Sequence, residues 1–146
     1  LPDMKYANEK LAAAFSHAED YPQKARAAIA EMVRQTGPCQ FVEDGYIRRG
    51  TIVRHLILPG HTRNSIQVLK HLQRAYGTQI YISIMNQYTP MPFVENIPEL
   101  NRKVTHREYD KAVDYAIGLG VVNGFIQEGG TAKESFIPEF SGEGLE

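Results

Sequence analysis

The first third of the chain carries apolar residues at helical spacing in two consecutive segments. Between residues 8 and 18 these residues share one helical face, and Asn8 is placed to cap the first turn. A second stripe of the same spacing starts at Tyr21-Pro22, where proline suits a first helical turn, and stops at Gly37-Pro38. The pattern predicts two helices joined by a short turn.

Residues 41–58 have the pattern of extended chain. Asp44-Gly45 lies between two short β-prone runs, 41–43 and 46–48, which is a strong signal for a hairpin. Residues 51–58 are β-branched and apolar, as expected of a buried strand, and Pro59-Gly60 ends that run.

The rest of the chain alternates between the two patterns. A helix is predicted over 62–76 and a strand over 80–85, in which alternate side chains face opposite sides of the sheet. After an irregular stretch containing prolines, Thr105-His106-Arg107-Glu108 has the sequence of a capping box and opens a helix that closes at Gly118 and Gly120. A short last strand is predicted over 121–127, and the tail from Glu128 onward is predicted to be extended and loop-like.

Strands that alternate with helices predict an α/β fold with a parallel sheet and helices on its outer face. A complete eight-unit barrel needs roughly 250 residues, so 146 residues supply only part of one. We therefore expect a single domain over residues 1–146. Because residues 1–6 have the pattern of the tail of a strand, we expect this domain to be the C-terminal portion of a larger enzyme.

Composition and charge narrow the class of protein. The apolar fraction is 42% and the formal net charge is −1, so neither nucleic acid nor a membrane surface is an expected partner. The sequence has no run of eighteen apolar residues and no export signal at its start, which favours a cytoplasmic location. Its single cysteine, Cys39, cannot form an internal disulfide.

Candidate chemistry lies at the predicted strand ends, where parallel α/β folds bind their ligands. Asp3 and Lys5 are two residues apart, so in a strand they share a face, with Met4 on the other. Arg54 lies inside an apolar strand, where an unpaired guanidinium costs several kcal/mol, so it is expected to meet a carboxylate of the protein or of a ligand.

The next strand ends in Asn86-Gln87-Tyr88, which offers amide groups and an aromatic face. If these side chains converge with those of Asp3 and Arg54, they suit a small zwitterionic or nucleoside-like ligand. In the alternative interpretation, Arg54 pairs with Asp3 and only ties the fold together.

Several other polar residues are weaker candidates for a site. His55 and His61 are expected to be hydrogen-bonded structural residues, because no second metal ligand stands at a recognisable spacing. The turn that follows Leu58 is expected to be a tight connection between a strand and a helix rather than an anion-binding turn. Gln127 and Glu128 are possible residues of the site's rim.

Four segments occur together in an order that matches a known family. They are Asp3-Met4-Lys5, 53–60 with Arg-x4-Pro-Gly, 81–88 with Met-Asn-Gln-Tyr, and 124–130. Through them nearly the whole chain resembles the C-terminal half of radical S-adenosylmethionine (radical SAM) proteins, especially those similar to pyruvate formate-lyase activating enzyme.

The resemblance implies the C-terminal part of a partial (β/α)6 TIM-like barrel with S-adenosylmethionine and a [4Fe–4S] cluster at its mouth. In the parent enzyme the reduced cluster would cleave S-adenosylmethionine to a 5′-deoxyadenosyl radical, drawing on an electron donor. The radical would abstract hydrogen from a small-molecule substrate or from a glycine of a glycyl-radical enzyme.

The resemblance also implies roles for individual residues. Asp3 and Lys5 match an Asp-x-Lys pair near the bound S-adenosylmethionine, and Arg54 matches an arginine that contacts the same ligand from the next strand. Asn86, Gln87 and Tyr88 stand at the strand end where activating enzymes carry a ligand-contacting histidine, so they are the candidates at that position.

The cluster of this family is held by three cysteines in a Cys-x3-Cys-x2-Cys loop. A single cysteine cannot replace them, so the cluster is not expected in this chain, and the fragment alone is expected to be inactive. Two alternatives remain open. The chain is a stand-alone module that binds a small anion or nucleotide through Lys5 and Arg54, or a non-catalytic fragment that self-associates because its sheet is incomplete.

Overall fold

The computed structural model describes residues 1–128 and 131–137, and the order of its elements follows the predicted α/β alternation. The helices are α1 (Glu9–Ser16), α2 (Tyr21–Thr36), α3 (Thr62–Tyr76) and α4 (His106–Gly118). The strands are β1 (Gln40–Phe41), β2 (Ile47–Arg49), β3 (Ile52–Leu56), β4 (Tyr81–Met85), β5 (Gly124–Glu128) and β6 (Thr131–Ile137). Short 3-10 turns cover Gly77–Gln79 and Pro92–Val94.

The main sheet has the order β3-β4-β5-β6. Strands β3, β4 and β5 are mutually parallel, and β6 is antiparallel to β5. On the other side of β3, Asp3 forms an isolated parallel bridge with Arg54. The Met4 amide donates to the Arg54 carbonyl and the Arg54 amide donates to the Pro2 carbonyl, each at 2.9 Å. The N-terminal segment therefore extends the parallel sheet by one short strand.

Helices α2, α3 and α4 cover one face of this sheet. The core beneath them includes Met4, Val53 and Ile82, whose side chains are almost completely buried. Alternation along β3 and β4 places Arg54 and Ser83 on the opposite face, as the sequence predicts. That opposite face is half-buried, and we call it the open face; it comprises Ile52, Arg54, Leu56, Ser83, Met85 and Phe125.

The β1–β2 hairpin covers one end of the open face. The Phe41 ring lies 5.0 Å from the ring of Tyr81, which is also 5.6 Å from that of Phe125. Tyr81 is only 4% exposed because of these contacts. The amino-terminal end of the parallel strands is therefore closed, and their carboxyl end is where the Asp3–Lys5 segment and residues 86–88 lie.

The predicted tail structure is wrong in one respect. The segment from Glu128 was expected to be loop-like, whereas Thr131–Ile137 forms β6, paired antiparallel with β5 in a register that is irregular between Ile126 and Glu128. Gly-Gly between two β-compatible runs is a hairpin signal, which hydrophobic periodicity does not reveal. Gly129 and Gly130, the weak glycine motif, lie outside the described residues.

The other boundaries differ from the predicted ones by only a few residues. Asn8 caps α1 as expected, because its side-chain oxygen accepts from the amides of Lys10 and Leu11. The strand predicted over 51–58 ends at Leu56, and the one predicted over 121–127 begins at Gly124. In the part of the chain that the structure describes, no helix has the length and apolar character needed to cross a bilayer.

Candidate functional site

Asp3 and Arg54 form an ion pair on the open face. The Arg54 Nε donates to Asp3 Oδ1 at 2.6 Å, so the prediction that Arg54 meets a carboxylate is confirmed, and the carboxylate is the protein's own. The two side chains are 43% and 37% exposed. An ion pair this accessible contributes at most about 1 kcal/mol to stability, so it leaves both groups available to a ligand.

Lys5 lies on the same face as Asp3. Met4 between them is fully buried on the opposite face, as the alternation predicts, and Lys5 is exposed. Along the sheet, Asp3, Arg54 and Ser83 are direct neighbours in register. With strands about 4.8 Å apart, the Cα atoms of Asp3 and Ser83 are about 10 Å apart, which is the scale of a small ligand.

The outer edge of the Asp3–Lys5 segment is closed by a side chain of α2. The Tyr21 hydroxyl donates to the Asp3 carbonyl at 2.9 Å and accepts from the Lys5 amide at 3.0 Å. These are backbone groups that would otherwise be open to a further strand. Burial raises the pKa of Tyr21, so its hydroxyl keeps the proton that the first bond needs.

One buried residue of α3, Asn64, fixes the same segment from inside. The Asn64 amide nitrogen donates to the Lys5 carbonyl at 2.8 Å, and its oxygen accepts from the Ala7 amide at 2.9 Å. Asn64 is only 2% exposed, so each of these bonds lies in a region where an unsatisfied group is costly. The positions of Asp3 and Lys5 are therefore set by α2 and α3 together.

His55 completes the link between β3, α3 and the N-terminal segment. Its Nδ1 lies 2.8 Å from the Met4 carbonyl, and its Nε2 lies 2.8 Å from the Ser65 hydroxyl. Because a carbonyl only accepts, Nδ1 carries the proton, and neutral Nε2 accepts from Ser65. Complete burial lowers the pKa of His55 to about 4. His55 is thus a neutral structural histidine, as the sequence predicts.

Asn86, Gln87 and Tyr88 line a different feature, a cleft of about 510 Å³ beyond the carboxyl end of β4. Its walls are residues 86–89 and 103–106. Tyr88 is held in place by packing beside Leu100, whose carbonyl accepts from its hydroxyl at 2.7 Å. Asp3, Lys5 and Arg54 do not line this cleft, so the predicted site residues fall into two groups at the same end of the sheet.

The far wall of the cleft is anchored by Glu108. Its carboxylate accepts from both guanidinium nitrogens of Arg102, at 2.7 and 3.1 Å, from the Thr105 amide at 3.0 Å, and from the Gly60 amide at 2.6 Å. The Arg102 guanidinium is the main reason that the pKa of Glu108 falls to about 2. The predicted capping box at Thr105 is confirmed, and it also ties α4 to the β3–α3 turn.

The weaker candidates take structural positions. The hydrogen bond expected of His61 is not seen at Nε2, which is buried without a hydrogen-bond partner among the described residues and lies 3.6 Å from a Glu99 oxygen. The His61 ring packs edge-on against Phe15. The amide of the β3–α3 turn already faces the carboxylate of Glu108, which agrees with the structural interpretation of that turn. Nothing is described of the side chains of Gln127 and Glu128.

Among the side chains that the structure describes, no group of three or more His, Cys, Asp or Glu residues could hold a metal ion. Cys39 is half-buried, its thiol lies 3.4 Å from the Thr51 carbonyl, and burial raises its pKa.

Tyr21, Asn64 and Ser65 are the residues that sequence reasoning missed. Each lies in a helical stripe and carries no motif, and its importance comes from contacts with a segment at least ten residues away along the chain. A polar Asn-Ser pair within the apolar stripe of α3 was the available signal, because polar residues at core positions need a partner.

Comparison with known proteins assigns the chain to no family. No protein-family model matches it, and neither the curated proteins nor the solved structures include a match.

Proposed function

We propose that this chain forms the C-terminal part of a partial (β/α)6 barrel in a cytoplasmic radical SAM enzyme resembling pyruvate formate-lyase activating enzyme. The observation that supports the proposal is the arrangement of Asp3, Arg54 and Lys5. They lie on the sheet face opposite α2, α3 and α4, on neighbouring parallel segments, with Lys5 toward the carboxyl end. A barrel interior has these properties.

The donor and acceptor groups suit S-adenosylmethionine. Asp3 offers a carboxylate to ribose hydroxyls, and Lys5 offers an ammonium to the carboxylate of the methionine moiety. Arg54 restrains Asp3 and presents further guanidinium donors beside it. Asn86 and Gln87 offer amides at the next strand end. When bound at a reduced cluster, S-adenosylmethionine supplies the capacity to abstract a hydrogen atom.

The residues of this chain do not fit the cluster itself. Cys39 is the single cysteine of the sequence, and its thiol bonds to the Thr51 carbonyl beside the β1–β2 hairpin, at the closed end of the sheet. A [4Fe–4S] cluster needs several thiolates. The proposal therefore assigns the cluster to a part of the parent enzyme outside these 146 residues. The parent's substrate would be a small molecule or a glycyl-radical enzyme, with a separate electron donor.

Calorimetric titration of the chain with S-adenosylmethionine tests the proposed pocket. We expect saturable binding that weakens about fivefold or more in Lys5→Gln and Arg54→Gln, because each loses a charge-assisted contact. Lys10→Gln is the matched control, since it removes an exposed lysine of α1 and should leave the affinity unchanged. Absence of binding to the wild-type chain, or equal losses in all three variants, would contradict the pocket.

The parent enzyme can be tested independently of this fragment. The open reading frame that contains the chain is expected to encode Cys-x3-Cys-x2-Cys upstream of Leu1. A frame without that motif would rule out the radical SAM assignment whatever the fragment binds.

Self-association is a second candidate function, and the open face favours it. Leu56, Met85 and Phe125 on that face are only half-buried. Apolar surface of this kind is usually covered by another element or another chain. Light scattering at increasing concentration tests this candidate: a mass that stays at that of one chain would contradict it.

A further inference from the structure

The cleft beyond β4 has the size and position of a ligand site. It is about 510 Å³, within the range of roughly 300–1,000 Å³ that small-molecule sites occupy. Its walls are the segment that directly follows β4 and the segment that enters α4. Ligands of parallel α/β proteins bind at this end of the strands.

The lining of the cleft carries a cation and no anion. The Lys103 ammonium and the His106 imidazole belong to the lining, and none of the lining residues carries a carboxylate. Within the described ranges, the Lys103 ammonium has no carboxylate partner. Arg107 is a further cation beside the cleft, whereas the charge of Arg102 is paired with that of Glu108, and the whole chain has a net charge of −1. The cleft is thus a local region of positive potential on a nearly neutral protein.

The neighbouring negative charge is already neutralised. Glu108 is the nearest carboxylate along the chain, and both of its oxygens accept from the guanidinium of Arg102. The Glu108 carboxylate also accepts from the Thr105 amide, while the Thr105 hydroxyl accepts from the Glu108 amide. The capping box therefore satisfies the Thr105 and Glu108 amides at the start of α4. The preference of the cleft for an anion depends on the side chains of Lys103 and His106.

The opposite wall supplies neutral polar groups. Gln87 and Thr89 line it and are exposed, so their side chains can reach a bound molecule. The Tyr88 hydroxyl donates to the Leu100 carbonyl. This bond holds the wall against an apolar cluster formed by Tyr6, Ala12, Leu58, Val94 and Leu100. The cleft combines two basic side chains on one wall with amide and hydroxyl groups on the other.

We propose that this cleft binds a small molecule carrying a carboxylate or phosphate group, with the anionic group held by Lys103 and His106. If the cleft is where the parent enzyme holds its substrate, which rests on the proposed function, then that substrate is an anionic small molecule. Anion binding itself depends only on the described residues of this chain.

Titration of the ¹⁵N-labelled chain with inorganic phosphate and, separately, with succinate tests the proposal. We expect saturable amide shifts centred on residues 86–89 and 103–106, and the tighter ligand identifies the anionic group. Lys103→Gln should weaken binding about fivefold, the effect of losing one charge-assisted contact, and His106→Ala should weaken it about twofold or more through the loss of an imidazole N–H donor.

Arg107→Gln is the matched control. It removes the same charge as Lys103→Gln from a neighbouring exposed position, but Arg107 does not line the cleft. We expect it to change the dissociation constant less than about twofold, because an exposed, solvent-screened charge that makes no contact with the ligand has little effect. Equal weakening by the two substitutions, or shifts that never saturate, would mean a diffuse field without a site and would overturn the proposal. The ¹⁵N spectrum of each variant shows whether it is folded.

The same preparations separate this inference from the proposed function. Arg54→Gln should weaken S-adenosylmethionine but leave phosphate or succinate binding unchanged, because Arg54 is outside the cleft. Saturable anion binding without S-adenosylmethionine binding would uphold the cleft and contradict the proposed function. S-adenosylmethionine binding without anion binding would do the reverse.

Discussion

At the scale of single residues, His55 shows how a polar side chain in a strand can serve the fold. It is fully buried, and both of its ring nitrogens form hydrogen bonds, one with the Met4 carbonyl and one with the Ser65 hydroxyl. Its neutral form fits both partners, whereas its charged form would turn Nε2 into a donor and would lose the Ser65 proton. Through Met4, this histidine holds the strand that carries Asp3 and Lys5.

We expect the stability of the chain to fall in acid because of His55. Its pKa is lowered to about 4 in the folded state by burial, while the unfolded chain retains the ordinary value near 6.5. The contribution is fully present above about pH 6.5 and is lost as the pH falls from there toward 4, by at most about 1.4 kcal/mol per pH unit. Urea unfolding between about pH 7.5 and about pH 4.5 measures this slope.

His55→Gln should lower stability at neutral pH and flatten the slope, since glutamine can still donate to the Met4 carbonyl but does not titrate. His71 is the necessary control, because burial and the nearby Arg26 charge also lower its pKa. His71→Gln should remove only a minor part of the slope. A wild-type slope that survives in His55→Gln would contradict the role given to this residue.

Predictions for single residues were confirmed where the local sequence alone implied a free-energy cost or fixed the face of a strand. Arg54 within an apolar strand required a carboxylate, and alternation placed Met4 opposite Asp3. Tyr21 and Asn64 could not be found this way, because their bonds to the Asp3–Lys5 segment exist only after α2 and α3 have packed.

At the scale of elements, the β3–α3 turn joins three parts of the molecule. Gly60 adopts φ +77°, a conformation that favours glycine, and its amide donates to Glu108 at the start of α4. A Cβ atom at this position would lie 2.8 Å from the Cβ of Glu99. Gly60 therefore needs to be glycine for two separate reasons, its backbone angle and the close approach of the loop that precedes α4.

Gly60→Ala is expected to destabilise the chain by about 2–4 kcal/mol, from left-handed strain together with displacement of the Glu99 segment. Gly45→Ala is the matched control, because φ is +83° there but nothing lies within 4 Å of the added Cβ. It should cost only about 1–2 kcal/mol. Thermal unfolding of both variants measures the difference, and equal costs would show that the contact with Glu99 is unimportant.

Signals within a few residues of each other predicted most helices and strands, whereas they did not predict pairing between segments that are distant along the chain. Asn8 and the Thr105–Glu108 pair identified two helix starts, because capping depends on residues within one turn. Strand β6 was missed since a short run such as Thr131–Ile137 becomes a strand by pairing with β5, which periodicity does not show. The cleft escaped for the same reason, because residues 103–106 meet 86–89 only in the folded chain.

At the scale of the whole molecule, the described helices that cover the sheet, α2, α3 and α4, all lie on one of its faces. Most of the core lies between that face and α2, α3 and α4, while the open face is covered at one end by the hairpin through Phe41 and Tyr81. Tyr21 closes the outer edge beside Asp3 and Lys5, so pairing edge to edge is blocked there. Contact through the open face is another route by which the incomplete sheet would be covered.

We therefore expect association of the isolated chain to depend on the open face. Leu56→Lys places a charge among the half-buried apolar side chains of that face and should keep the chain monomeric at concentrations where the wild type dimerises. Met32→Lys is the matched control, because Met32 is 40% exposed on α2, away from the open face. Light scattering across a concentration series should show the wild type and Met32→Lys associating and Leu56→Lys not. Association that persists in Leu56→Lys would mean that another surface is used and would contradict self-association through the open face.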